Sequence, residues 1–178
     1  MNPKIKLTND MKFKAYDYAV KSHDFTSRGH DFHGGGADNA SQKMNEGKLG
    51  ERAFEYWLKQ EGISFISDSS NFDEADSYDF IINGYKVDIK TRLADVGAKK
   101  TRTLEMVEQF YTRPKDIYVG ASYFTKTDTI ELYGFISAKK LEELNPIENQ
   151  GYKDNYVAYD NQLTPMNFFK ELVVNQKR

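Results

Sequence analysis

Apolar residues recur along this chain with two different periods, and the switches between them predict its elements. Residues 5 to 21 place aromatics and lysines on different faces at helical spacing, a modest helix. From Ser22 to Ala40 the text becomes SHDFTSRGHDFHGGGADNA, which has no hydrophobic period and reads as loop. Asn45 can cap a helix running to about Glu61 and stopped by Gly62. Its apolar positions Leu49, Ala53, Phe54, Trp57 and Leu58 fall in one broad arc at 100° per residue, so it must pack on something.

Period-two runs follow. ISFIS at 63 to 67 reads as a strand, and YDFIINGYKVDIKTR at 78 to 92 as a hairpin turning at Asn83-Gly84. Residues 93 to 114 are ambiguous; TRTLEMVEQFYTR fits a helix ended before Pro114. DIYVGASYF and TIELYGFIS are two more β-rich runs joined by a KTD turn. Ala138 to Leu144 suits a short helix and NYVAY a short strand, while Thr164-Pro165 would cap a last helix with Phe168, Phe169 and Leu172 inward. There is no internal repeat. The expected organisation is a single domain, with a helix and flexible His/Gly-rich arm over 1–45 and the main body over 46–178.

Composition narrows the classes. A chain of 178 residues can bury a real core, and the absence of cysteine excludes disulfides and thiolate metal sites. The opening MNPKIKLTNDMKFK is basic and broken, and no long apolar run follows, so the expectation is a soluble, cytoplasmic protein with no membrane association. A net charge of -2 does not mark a nucleic-acid binder, but the charge is unevenly placed. Lys90 to Lys115 holds seven Lys or Arg against three acids, whereas Asp68 to Asp79 holds five acids and no base. Scattered surface charge would explain this as well as an acidic site bounded by a basic stretch does.

The hairpin is more specific. With Asn83 and Gly84 as a type I′ turn, cross-strand partners sum to 167, so Ile82 faces Tyr85, Phe80 faces Val87 and Asp79 faces Asp88. Lys90 shares the aspartates' face, while Phe80, Ile82, Tyr85, Val87 and Ile89 point the other way. Two facing carboxylates repel by up to about 1 kcal/mol. Lys90 offsets that partly; a divalent cation, which takes carboxylate, water and phosphate oxygens, offsets it fully. The plainer alternative is a solvent-facing hairpin whose charges only keep it soluble.

Asp79 followed by Asp88-Ile89-Lys90, with a glutamate on the preceding helix, resembles the PD-(D/E)XK nuclease superfamily. The resemblance spans roughly residues 46 to 137 in the order helix, three strands, helix, strand. Tyr78 stands where the family name has proline. Gly47-Lys-Leu-Gly-Glu51 is similar to the GxxxE of junction-resolvase-like members, with Glu46 and Glu55 as competitors for Glu51's role. The implied fold is α/β (α+β), a restriction-endonuclease-like core with a central mixed sheet of about four to five strands flanked by helices.

The implied activity is Mg2+-dependent hydrolysis of DNA phosphodiesters, with Mn2+ able to substitute and no organic cofactor. Asp79, Asp88 and Glu51 would be ligands, joined by the backbone carbonyl of Ile89, and Lys90 would orient or help deprotonate the attacking water. Arg92, Lys99, Lys100 and Arg102 follow directly and would bind backbone phosphates, or else be ordinary surface cations. Cutting both strands with one site per chain favours a homodimer. The rival class is a nuclease-fold module that binds DNA or protein without cutting, against which the complete Asp79, Asp88, Lys90 set argues; an RNA-directed nuclease ranks third. His23, His30 and His33 match no zinc spacing, and Gly34 to Gly36 match no phosphate-binding loop.

Overall fold

A computed structural model describes residues 2–22, 36–68, 78–94, 101–149 and 153–175. The elements in chain order are β1 (Lys4–Lys6), α1 (Asn9–Lys21), α2 (Gly36–Gln60), β2 (Ile66–Ser67), β3 (Phe80–Ile82), β4 (Tyr85–Leu93), β5 (Thr101–Met106) and α3 (Val107–Thr112). They continue with β6 (Ile117–Phe124), β7 (Thr129–Ser137), α4 (Ala138–Leu144), β8 (Ile147–Asn149), β9 (Asp154–Tyr159) and α5 (Phe169–Asn175). A six-stranded sheet runs in the order β1-β7-β6-β4-β3-β2, and a three-stranded sheet in the order β5-β9-β8. The β4–β6 pair is parallel and every other pair is antiparallel. The mixed α/β class is as expected, but the main sheet is wider than four or five strands.

The turn chemistry sets the hairpin. Asn83 and Gly84 both have positive φ, 48° and 86°, as a type I′ turn requires. The pairs Ile82 with Tyr85 and Phe80 with Val87 follow in the expected register. Pairing then stops one residue early, because β3 begins at Phe80. Asp79 sends its N–H to the Val87 carbonyl at 3.0 Å, and its carboxylate oxygen Oδ2 accepts the Ile89 N–H at 2.6 Å. The side chain thus takes an acceptor position that a continuing ladder would fill with a main-chain carbonyl.

Several boundaries differ from the sequence expectation. Residues 4 to 6 form an edge strand on β7, and Thr8 caps α1 by accepting from the Met11 N–H. Asn45 lies inside α2 and caps nothing; its Oδ1 is buried without a partner. The expected boundary at residue 45 therefore falls within a helix, and the N-terminal segment joins the main body through β1 on β7 and α1 on α2. TRTLEMVEQFYTR divides into β5 and the short α3, because its first half pairs with β9. Thr164 bridges to Phe135, and a 3-10 turn over Met166–Phe168 precedes α5, leaving Phe168 exposed and Phe169 buried. The histidines and Gly34 and Gly35 lie outside the described residues, whereas Gly36 opens α2. No helix among the described residues is long and apolar enough to cross a membrane.

Two cores sandwich the main sheet. Val87, Ile89, Val119 and Ala121 meet Ala53, Phe54, Trp57 and Leu58 of α2 on one side; Tyr118 and Ile136 meet Leu104, Tyr156 and Ala158 on the other. Phe54 stacks edge-on to Phe80 at 5.3 Å and to Phe169 at 5.6 Å, and burying such a ring contributes about 1.5–3 kcal/mol. That contact ties α2, which lies over β4, to β3, and Glu51 is one turn earlier on the helix.

Gly50 sets how closely the helix approaches. A Cβ there would lie 1.9 Å from Thr91 Oγ1 on β4, and β-branched Thr91 has few rotamers with which to yield. Gly50→Ala should therefore destabilise by about 1–3 kcal/mol, although alanine is the better helix former. The Thr91 hydroxyl is buried without a partner among the described residues, so adding Thr91→Ala should restore most of the loss; urea denaturation of the single and double variants measures the coupling.

Candidate active site

Strand β4 carries the centre of the site. Asp88 pairs with Tyr118 in the parallel register, which puts both on the second-core side of the sheet. Asp88 is only 7% exposed, so its carboxylate does not face open solvent. Lys90 Nζ lies 2.8 Å from Asp88 Oδ2, yet that oxygen is buried and receives no hydrogen bond of acceptable angle. The contact is an ion pair that leaves lone-pair capacity on the carboxylate.

A second ion pair lies against the first. Glu105 of β5 and Lys115, just before β6, are buried in direct contact. Lys115 Nζ is 3.8 Å from Asp88 Oδ1, and Lys90 Nζ is 3.9 Å from Glu105 Oε2. The four groups form a closed ring of alternating charge. Burial alone would raise the Asp88 carboxyl, but Lys90 and Lys115 overrule it and hold the pKa below the ordinary range. Burial alone would lower Lys90, but Asp88 and then Glu105 push it above its ordinary range. Lys90 is therefore an ammonium at neutral pH and not a free base. Burial, followed by Glu105 and Asp88, also pushes the Tyr118 phenol up, and its hydroxyl is buried without a partner.

Asp79 stands in the opposite electrostatic state. Burial, then Glu51, then Asp88 push its pKa well above the ordinary value, and neither Lys48 nor the Ile89 N–H compensates. Asp79 and Glu51 line one cleft of about 40 Å³ with Tyr18, Lys48, Asp68 and Phe80. The buried Lys48 places Nζ 2.9 Å from Glu51 Oε2 and 4.3 Å from the Tyr18 ring centre. Of the competing helix glutamates, Glu55 pairs with Arg52 and Lys59, and Glu46 accepts from Gln42. Glu51 is the one among these three that borders Asp79 in the cleft.

Two of the four expected phosphate-binding residues, Arg102 and Arg92, make contacts within the protein. Arg102 is 1% exposed and bonds to Asp160, the Ala121 carbonyl and Ser122, over the bare backbone of Gly120. It is a core guanidinium and no phosphate can reach it. Arg92 is half-buried and shares Asp160 at 2.7 Å, so it too serves the joint between β4 and the second sheet. Lys99 and Lys100 lie outside the described residues.

Lys48, Glu105 and Lys115 were not singled out by sequence. Lys48 had a signal, since it lies three residues before Glu51 on the same helix face. Glu105 had none. The β5–β9 register shifts between Thr103 and Glu105, and this bulge turns the consecutive Leu104 and Glu105 both inward, against a strict alternation.

Carboxylate oxygens are the donors that a hard cation takes. Among the described residues no three His, Asp or Glu side chains form a preassembled cage, but Mg2+ needs only one or two carboxylates and keeps its waters. Asp79, crowded by Glu51 and Asp88, and the buried Asp88 Oδ2 supply such a pair. Comparisons with protein-family profiles, characterised proteins and solved structures give no match.

Proposed function

We propose that this chain is a Mg2+-dependent endodeoxyribonuclease with a PD-(D/E)XK site. One observation carries the reading: Asp79 and Asp88 adjoin where the hairpin ladder ends, with Lys90 on Asp88 and the helix residue Glu51 beside Asp79. The connectivity supports it. Helix α2 leads into the antiparallel meander β2-β3-β4, and after β5 and α3 the chain adds β6 parallel to β4.

Bound Mg2+ would polarise the scissile phosphate and lower the pKa of water. Asp79 and Asp88 would hold it, with Glu51 and the Ile89 carbonyl as further ligands, and Mn2+ would serve in its place. Lys90 acts as an ammonium: it donates to the attacking water, orients it and offsets charge gathering on the phosphate oxygens. A role as general base is disfavoured by its raised pKa. A second reading, a DNA- or protein-binding module without catalysis, draws on Lys48 and Lys90 already neutralising Glu51 and Asp88.

Incubation with supercoiled, linear, single-stranded and branched DNA and with RNA separates the readings. Metal-dependent cleavage of DNA that EDTA stops is expected, and Lys90→Met should slow it by about 10²–10³-fold. Cleavage that persists in EDTA would sink the mechanism. Retardation of DNA without cleavage would favour the binding module, and cleavage of RNA alone the third alternative.

A further inference from the structure

The Glu105–Lys115 pair is set deeper than the site it touches. Side-chain exposure falls from 32% at Lys90 and 10% at Asp88 to 4% at Lys115 and 2% at Glu105. A buried ion pair of this kind is seldom a gain in stability, since well-packed apolar residues of similar volume usually do as well or better. The chain nevertheless bulges β5 to turn Glu105 inward, and the Met106 N–H donates to its other oxygen at 3.1 Å.

We infer that Glu105, held by Lys115, is a positioning residue: it is the alternative partner to which the Lys90 ammonium passes when a divalent cation takes the Asp88 carboxylate. The inference rests on the proposed function. Lys90 Nζ is 2.8 Å from Asp88 Oδ2 and 3.9 Å from Glu105 Oε2, so rotation about its outer bonds suffices and the backbone need not move. Without Glu105 the ammonium would have only Asp88 and would compete with the incoming cation for it. With Glu105 it stays beside the site, protonated and aimed. Lys115 keeps Glu105 fixed and the ring of four charges neutral, so neither acid is left alone when Lys90 moves.

The test removes the pair while keeping the interior neutral. The double variant Glu105→Gln/Lys115→Met should fold with near wild-type cooperativity, because both charges leave together. Mn2+ binding, followed by electron paramagnetic resonance without substrate, should weaken about 10-fold or more, and kcat should fall about 10–100-fold at unchanged KM for DNA. On the wild-type chain, Mg2+ should shift the Lys90 Nζ and Glu105 carboxyl NMR resonances together, a readout that does not depend on the variant folding. Full Mn2+ affinity and kcat in the folded double variant, or a Glu105 resonance unmoved by bound Mg2+, would overturn the inference alone. A wild-type chain that binds no Mn2+ would overturn the functional reading, and this inference with it.

Discussion

Asp88→Asn is expected to lose at least about 10³-fold in cleavage rate and to fold less stably than the wild-type chain. The first effect follows from removing a charged oxygen donor, Oδ2, which is ion-paired to Lys90 but accepts no hydrogen bond among the described residues. The second follows from the ring. With Asp88 neutral, Lys90 and Lys115 share Glu105 alone, and breaking one partner of a buried ionic set costs about 3 kcal/mol or more. Lys90 is partly exposed and can hydrate, which keeps the cost near the low end. The Asp88 pKa is depressed on folding, so its contribution is complete above the ordinary aspartate value of 3.8 and is lost as pH falls through the lower folded value. The melting difference between variant and wild type should therefore be large at neutral pH and close only in strong acid. A difference independent of pH would refute this account.

Asp79→Asn should match it in lost activity and oppose it in stability. Asp79 is pushed up by burial, Glu51 and Asp88, so the metal-free fold holds a proton there more tightly than the unfolded chain does. The sign is then reversed. The stabilising contribution is complete below 3.8 and is lost as pH rises through the raised folded value, which leaves the carboxylate a liability at neutral pH. Asparagine has nearly the same shape, and its side-chain oxygen can still accept the Ile89 N–H. The variant should melt higher than the wild type at neutral pH, by roughly 2–4 °C for each kcal/mol relieved, and the gain should vanish in acid. Saturating Mg2+ should raise the wild-type melting temperature and move that of the variant little. A variant that melts lower than the wild type at neutral pH would show that Asp79 is satisfied without a cation.

The two aspartates look alike in sequence, yet their neighbours push their pKa values apart. Asp88 has Lys90 on its own strand and Lys115 from just before β6, whereas Asp79 has two acids. A stabilising substitution that abolishes function at Asp79 is what a site strained for cation binding predicts.

Much of the site could be read from local rules. Asn83-Gly84 can hardly form any hairpin turn but one with positive φ, and counting outward from it put Asp88 and Lys90 together and Phe80, Ile82, Val87 and Ile89 in the core. The apolar arc of α2 left Glu51 at its rim, where the structure has it. Local rules failed where alternation or helical phase was interrupted. Asp79 leaves the ladder and lends its side chain to Ile89, and β5 bulges at Thr103 to Glu105, so neither position obeys the period of two.

Arg102 shows the other limit. In sequence it is one of several cations after Lys90. Folded, it lies over Gly120 and reaches Asp160, which arrives from beyond β9 at a separation of 58 residues. Turn preferences, hydrophobic period and the spacing of Asp79, Asp88 and Lys90 are properties of neighbouring residues, so sequence alone determined the hairpin, its register as far as Phe80 and the outline of the candidate site. Burial and ion pairing depend on which remote segments meet. Only the tertiary structure decided that Lys115 and Glu105 close a ring on Asp88 and that Arg102 serves the core, because each of these charges takes its partner from a segment that chain order does not bring near.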